Sequence, residues 1–374
     1  MKIIIAPDKF KGSLTGLEFC DAVERGIKKH VSDIEIVKLP LADGGDGTIE
    51  VLKYYLDGEM ITLEVHDPLY RKINASYLYS ESKKTAYIEM AEASGIRLLK
   101  NEELNPLETS TFGTGELIAD ALNKGVKHII LGIGGSATND GGLGMAKALG
   151  YRFFDVNNKE LEGKGSDLIK LVKIDSSRVN PRIKNVNFDV ACDVDNTLFG
   201  INGAAYTYAP QKGASYETVK QLDSGLRNYN AVVKNKFYKD LQHIPGAGAA
   251  GGMGAGSILF LNAQLNSGID LIKNEANFDR NIVGADWIIT GEGKLDEQTF
   301  SGKVIKGVMD SLTTQKLAVF CGISELAPEK LPELGVHYLK ETRDLSISLD
   351  DSIKYAGRYL EMAVEEFARS AHLV

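Results

Sequence analysis

A chain of 374 residues exceeds what one ordinary core supports, so two domains are the expectation. Apolar residues at 43% and charged residues at 25% are those of a globular protein, and a formal charge of -8 excludes a broad nucleic-acid surface, which needs a basic face. No apolar run approaches the roughly 18–20 residues of a membrane span. Cys20, Cys192 and Cys321 are widely spaced with no CxxC, which points to reduced thiols in a cytoplasmic protein and not to a disulfide framework or zinc.

In chain order, Met1–Asp8 is too short a hydrophobic stretch for a signal peptide and reads as a buried first strand, Ile3–Ala6. The loop Asp8–Ser13 follows, then a helix from Thr15 to Lys29 with Leu17, Cys20, Ala22, Val23 and Ile27 along a buried stripe. Ile34–Leu39 is a second strand, its loop running from Pro40 to Thr48, and a helix covers Thr48–Leu56. This alternation predicts a parallel sheet with covering helices. Met60–His66, Ile73–Ser80 and Ala86–Met90 are spaced like an antiparallel meander. A helix near Gly115–Leu122, a strand Ile129–Leu131, a strand Val186–Ala191 and a polar helix Tyr216–Lys234 come next. From Ala285 the alternation returns: strand Trp287–Ile289, helix Lys303–Leu312, strands Leu317–Cys321 and Val336–Leu339, and one closing helix Asp350–Phe367. The fold class expected is two-domain α/β. Residues 1–60 and 280–374 form a discontinuous Rossmann-like parallel-sheet domain, and 61–279 form an inserted α/β domain.

Glycine is in excess, 39 of 374 residues, about a tenth where about 7% is ordinary, and the excess is clustered. The run Gly134–Gly142 lies between an apolar strand and a helix-like stretch. Its glycines let backbone amides close around an anion, which points to a phosphate. Gly246–Gly256 is a second such run. Functional residues of parallel sheets gather at the carboxyl ends of strands. There the sequence places Asp8–Ser13, Asp43–Asp46 and Thr290–Thr299, each combining carboxylates or lysines with glycine. Lys9, Lys11 and Lys294 suit phosphate or carboxylate. Asp43, Asp46, Asp193, Asp195 and Asp296 suffice to hold Mg2+ and supply a base, since magnesium needs only one or two protein carboxylates beside substrate phosphates. Asp193 and Asp195 alternate along an extended segment, so one of them, Asp193, is expected to face the site.

No GxxxxGK[ST] or GxSxG occurs, and all six histidines lie outside the glycine loops. Gly132–Ala137 fits GxGxxA and Gly246–Gly251 fits GxGxxG, so an NAD-dependent oxidoreductase stays open, as does a non-catalytic nucleotide or sugar-acid sensor.

Taken together, Ala6–Leu14, Pro40–Thr48, Thr109–Leu117 (TSTFGTGEL), Gly132–Gly142 (GIGGSATNDGG), Asp193–Asn196, Pro210–Ala214, Gly246–Gly254 and Thr290–Thr299 resemble, in order across nearly the whole chain, the type I bacterial glycerate kinases. This chain departs from the family in having Lys9 where serine is more usual, Lys294 for arginine, and Thr197 for proline. The resemblance implies ATP-dependent phosphorylation of D-glycerate, with 2-phosphoglycerate favoured over 3-phosphoglycerate, in a cleft between two α/β domains that close to exclude water. On that reading Gly134, Gly135, Ser136, Ala137 and Thr138, with Gly248, Gly251 and Gly252, hold the nucleotide phosphates. Ser136, Thr138 and Asp140 either touch ligand or hold the turn that aims the amides, and Ser136 is the one expected to touch it. Asp193, Lys11 and Asp43 are the catalytic candidates, Asp193 orienting or deprotonating the hydroxyl. Asp8, Ser13, Arg71 and Glu292 bind substrate, with Lys11 and Arg71 for its carboxylate, and Asp193 and Asp296 bind Mg2+. Small-molecule ligands alone are expected, with no nucleic acid and no membrane.

Overall fold

The structure is a computed structural model and describes residues 1–45, 47–296, 299, 304–326, 331 and 335–370. The chain divides into two compact units, Met1–Tyr55 with Ser267–Val374, and Leu56–Asn266.

The first unit is built on five parallel strands in the order Val336–Glu341, Lys316–Ser324, Trp287–Leu295, Lys2–Ile5, Glu35–Lys38. Counted along the unit this is 5-4-3-1-2, the doubly wound order whose direction reverses between Lys2–Ile5 and Trp287–Leu295. Ile3, Ile4 and Ile5 are wholly buried, as a central strand covered on both faces requires. Ile3 and Ile5 share a core with Phe19, Val23, Trp287, Phe320 and Phe367.

The strand beginning at Trp287 is longer than its apolar run suggests. The sequence gives Thr290–Thr299 to a loop, whereas the strand continues to Leu295, paired throughout with Lys316–Ser324. Glycine makes this possible: a Cβ on Gly291 would stand 2.1 Å from the Phe320 carbonyl and 2.8 Å from the Phe19 ring. Glycine in a strand here marks close backbone approach, not a turn. The expected single closing helix is two, Leu349–Lys354 and Ala356–Ser370. Ser348 caps the first, and Tyr355 leaves helical geometry at φ −116°, ψ 26°.

Helix Gly16–Lys28 starts at Thr15, whose hydroxyl accepts from the Glu18 amide while Glu18 accepts from the Thr15 amide. Its buried face carries Phe19, Cys20, Val23 and Ile27 and packs on helix Ala356–Ser370.

The second unit holds a six-stranded sheet in the order Gln264–Asn266, Asn187–Ala191, His128–Gly132, Thr85–Glu89, Lys72–Ser80, Glu59–His66. The first four strands run parallel and the last two add antiparallel. The expected meander is therefore present, and its third strand also pairs parallel with His128–Gly132. A short ribbon, Arg152–Phe154 with Lys173–Asp175, was not legible in the sequence. Among the described residues no helix is long and apolar enough to cross a membrane.

Gly26 sits where the two packed helices of the first unit meet, and a Cβ there would lie 2.8 Å from the Glu361 carbonyl and 2.9 Å from Val364. Glycine to alanine inside a helix ordinarily gains about 1 kcal/mol. Here the sign reverses: Gly26→Ala is expected to destabilise by about 1–3 kcal/mol through overpacking, measured by urea unfolding. A stabilised variant would show that the helices yield at this contact.

Candidate functional site

In the first unit, the site grows from the sheet's point of reversal. The Ala6 amide donates to the Ile289 carbonyl (2.7 Å), the Asp8 amide to that of Gly291 (2.9 Å), and the Thr290 hydroxyl to that of Ala6 (2.7 Å). These bonds staple the loop after the first strand to its neighbour. Gly293 lets the loop pass, since a Cβ there would stand 3.2 Å from the Lys11 nitrogen. The Leu41 amide donates to the Pro7 carbonyl (2.8 Å), which draws in the loop bearing Asp43. The outcome is a cavity of about 500 Å³ whose lining includes Asp8, Lys11, Ser13, Asp43, Glu292 and Asp296, and also Lys9, Lys294 and Arg343. It lies where doubly wound sheets place ligands, outside the carboxyl ends of strands at the switch point. Asp46 lies outside the described residues.

The cavity sets cations beside carboxylates. Burial pushes the Asp8 carboxyl up to about 7, helped by the charges of Asp43 and Glu292 and opposed by the Lys9 amide, which donates to Asp8 Oδ1 at 2.7 Å. Glu292 is nearly buried and accepts from the Thr299 hydroxyl. Lys294 is half exposed and paired with Glu325 (2.9 Å) and Asp296 (3.9 Å). Arg343 donates through Nη1 to Ser346 Oγ at 2.8 Å. Lys11 is exposed.

The second unit carries the glycine loop, which leaves strand His128–Gly132 with Gly134 and Gly135 exposed and Ser136 to Asp140 buried. Among the described residues the amides of Gly134, Gly135 and Ser136 donate to no protein group, whereas that of Ala137 is used by the Ser94 carbonyl (2.9 Å). Asp140 sits wholly buried beneath and accepts from the Thr111 amide (2.8 Å), the Thr111 hydroxyl (2.7 Å) and the amides of Gly142 (3.0 Å) and Gly144 (3.1 Å). The Thr109 hydroxyl donates to the Ala137 carbonyl (3.0 Å). The segment Thr109–Thr111 thus holds the loop's shape from below.

The second glycine run does a different job from the one its composition suggests. Gly248, Gly251 and Gly252 are buried. The Gly248 amide is bonded to the Asn196 carbonyl (2.9 Å) and that of Gly252 to Gly248 (3.4 Å), so these two amides are not on offer to an anion. A Cβ on Gly251 would stand 2.1 Å from the Thr138 carbonyl, and the Gly251 carbonyl accepts from the Gly141 amide (3.1 Å). The run is a buttress for the first loop, and its left-handed residues Ala250, Gly251 and Gly252 make that approach possible. The element before it is helix Tyr216–Phe237, with no strand between them, so the GxGxxG match lacks the context of a dinucleotide site.

Arg71 also departs from expectation. Its guanidinium is held by Asp67 (Nε–Oδ2 2.6 Å) and Glu103 (Nη1–Oε1 2.6 Å), which occupies the fork that a substrate carboxylate would need. Asp193 and Asp195, expected on opposite faces, are both exposed after strand Asn187–Ala191. Among the described residues no three His, Cys, Asp or Glu side chains cluster to hold a metal ion.

Two cations were missed in the sequence. Arg343 stands two residues beyond strand Val336–Glu341, so reading the residues after that strand end would have found it. Lys212 lies within the matched segment Pro210–Ala214 but had no role assigned. It is almost wholly buried against the glycine loop, donating to Ser136 Oγ (2.8 Å) and the Thr138 carbonyl (2.7 Å). Burial pushes its ammonium down to about 7, opposed by the charge of Asp140.

Comparison with known proteins shows the family of the chain. The family model described as "Glycerate kinase family" matches residues 3–372. The chain belongs to the glycerate kinase family. It is 43% identical to a glycerate kinase of Bacillus cereus over 370 residues, 98% of this chain and 97% of that one. It is 46% identical to the glycerate 2-kinase of Escherichia coli K12 over 308 residues, 82% of this chain and 81% of the relative. A crystal structure titled as a putative glycerate kinase 2 from Salmonella typhimurium LT2 superposes with a TM-score of 0.89 at 39% identity, covering 100% of this chain and 98% of that one. The chain is thus an enzyme of phosphoryl transfer, a chemistry that rests on positioning and charge stabilisation. Unspent amides and a cation-lined cavity are the groups such catalysis uses.

The raised Asp8 makes stability depend on pH. Between about pH 4, where an unfolded aspartate ionises, and about pH 7, where the folded one does, the folded state binds more protons, so its stability falls as pH rises. Asp8→Asn lacks that slope. At pH 8 it is expected to be more stable than the parent by about 2–4 kcal/mol, the gap closing toward pH 4 in thermal unfolding. A gap independent of pH would contradict a disfavoured Asp8 charge.

Proposed function

We propose that this enzyme transfers the γ-phosphoryl group of ATP to the C2 hydroxyl of D-glycerate, giving 2-phosphoglycerate. The observation that carries this reading is the first unit's cavity, where Lys11 and Arg343 stand among Asp8, Asp43 and Glu292. A small hydroxy acid needs cations for its carboxylate and acceptors for its hydroxyls, and the lining supplies both. Lys11 and Arg343 take the carboxylate. Ser13 and Glu292 bond the hydroxyls. Asp43 receives the proton of the attacking hydroxyl as its oxygen bonds to phosphorus and the bond to the ADP oxygen breaks. Asp8 keeps its proton to about pH 7, so a protonated carboxyl can donate to the substrate while Asp43 accepts. The name of the 46%-identical Escherichia coli relative, glycerate 2-kinase, supports the C2 position.

The exposed amides of Gly134 and Gly135, with Ser136, take the nucleotide phosphates. Magnesium keeps several waters and takes one or two protein carboxylates beside substrate phosphates. Asp296, which lines the first unit's cavity, is the carboxylate we assign to it. When bound, the ion offsets the charge of the transferring group.

Arg343→Ala is expected to raise KM for D-glycerate about 10–100-fold, the scale of a hydrogen bond to a charged group, with KM for ATP unchanged. Asp43→Asn is expected to lower kcat about 10²–10⁴-fold with the melting temperature retained. A Cβ on Gly134 meets nothing within 4 Å, so Gly134→Val is expected to fold normally and to raise KM for ATP alone. Steady-state kinetics with each substrate varied checks all three, and an unchanged glycerate KM in Arg343→Ala would move the substrate out of this cavity.

A further inference from the structure

Lys212 has no place in the mechanism above, and its surroundings are unusual for a lysine. It is 2% exposed, and both groups its ammonium meets, Ser136 Oγ and the Thr138 carbonyl, are uncharged. Among the described residues no carboxylate lies within ion-pair distance of it. A buried cation with only neutral partners is unfavourable, and an anion arriving beside it relieves that penalty. The chain nevertheless builds the position with care. Pro210 opens a tight turn, and Gly213 closes it at φ 90°, where a Cβ would stand 2.3 Å from the Leu104 carbonyl.

The hydrogen bonds around Lys212 have a direction. An ammonium only donates, so Ser136 Oγ accepts from it and keeps its own proton to give. Among the described residues that hydroxyl has no acceptor. Ser136 is 8% exposed and follows Gly134 and Gly135, whose amides are also unspent. The Thr138 hydroxyl, wholly buried in the same loop, has no partner either. One short loop therefore gathers unspent donors around a cation whose one opposite charge, Asp140, lies beyond ion-pair distance.

We propose that Lys212 is a phosphate-positioning residue: by donating to Ser136 Oγ it turns the Ser136 hydroxyl proton outward to a phosphate oxygen, and its buried charge gives the glycine loop its attraction for that anion. The inference rests on the reading that this loop takes the nucleotide phosphates. It adds that the positive charge of the subsite comes from beneath the loop. Lys212 itself does not touch the reacting atoms.

The test uses the full-length protein and ATP binding by calorimetry, with D-glycerate binding and ligand-free melting measured alongside. Lys212→Met keeps the length of the side chain and removes the charge. Loss of a disfavoured buried charge and loss of its two hydrogen bonds oppose each other, so its melting temperature is expected to stay close to that of the parent, while the Kd for ATP rises tenfold or more and that for D-glycerate is unchanged. Ser136→Ala is expected to weaken ATP binding too, and the double variant to bind no worse than Lys212→Met, since without the lysine the serine proton is no longer aimed at the phosphate. Parental ATP affinity in a folded Lys212→Met, with Gly134→Val still weakened, would overturn the inference and leave the loop reading intact. Parental affinity in both would overturn the loop reading as well. If Lys212→Met unfolds, Ser136→Ala decides: retained ATP affinity overturns the proposal, and a tenfold loss at unchanged melting temperature upholds it.

Discussion

Ile3 pairs with Trp287 and Ile5 with Ile289, across 284 positions of sequence, and the first unit's cavity exists only while that ladder holds. The pairing puts the sheet's reversal between two strands, of which one leads out to Asp8 and Lys11 and the other carries Glu292 toward its carboxyl end. Neither segment could form the site alone. The same pairing explains the two glycines at 291 and 293, which let the strand run on past its apolar part and let the Phe10–Lys11 backbone cross close to it. Burial of Asp8 follows from this close approach, and so does its reluctance to ionise.

The second unit solves a different problem, holding backbone amides outward without letting the loop collapse. Asp140 does this by accepting four hydrogen bonds from the loop and from Thr111. Burial pushes the Asp140 carboxyl up, and these hydrogen bonds oppose that shift by favouring its charged form. The buried run from Gly248 to Gly252 supports the same loop from the other side. Two glycine-rich segments of similar composition thus have opposite fates, one exposed at its tip and one packed as filler. Glycine permits both, and what surrounds the backbone decides between them.

Much of the fold was legible because it rests on local signals. Strand Lys2–Ile5, the helix after Thr15 and the antiparallel meander all follow from apolar runs, a buried stripe at helical spacing and spaced turn residues. The errors share a physical cause, which is that contacts distant in sequence override local composition. Gly291 and Gly293 look like a turn, yet the neighbouring strand holds them extended. Gly248 and Gly252 look like a phosphate loop, yet their amides are already bonded. Arg71 looks free in sequence, but Asp67 and Glu103 take its guanidinium. Lys212 could not be distinguished from a surface lysine, because its burial comes from a loop more than seventy residues away. Arg343 was within reach of the strand-end rule that found Asp8, Asp43 and Glu292.

The account's central claim is that the cation- and carboxylate-lined cavity serves a small hydroxy acid as phosphoryl acceptor. Product identification by phosphorus and carbon NMR, after incubation with ATP, Mg2+ and D-glycerate, tests it most directly. The expected result is ADP together with a single phosphate ester coupled to C2 of glycerate. Coupling to C3 would contradict the assigned hydroxyl, and unchanged D-glycerate would contradict the acceptor itself.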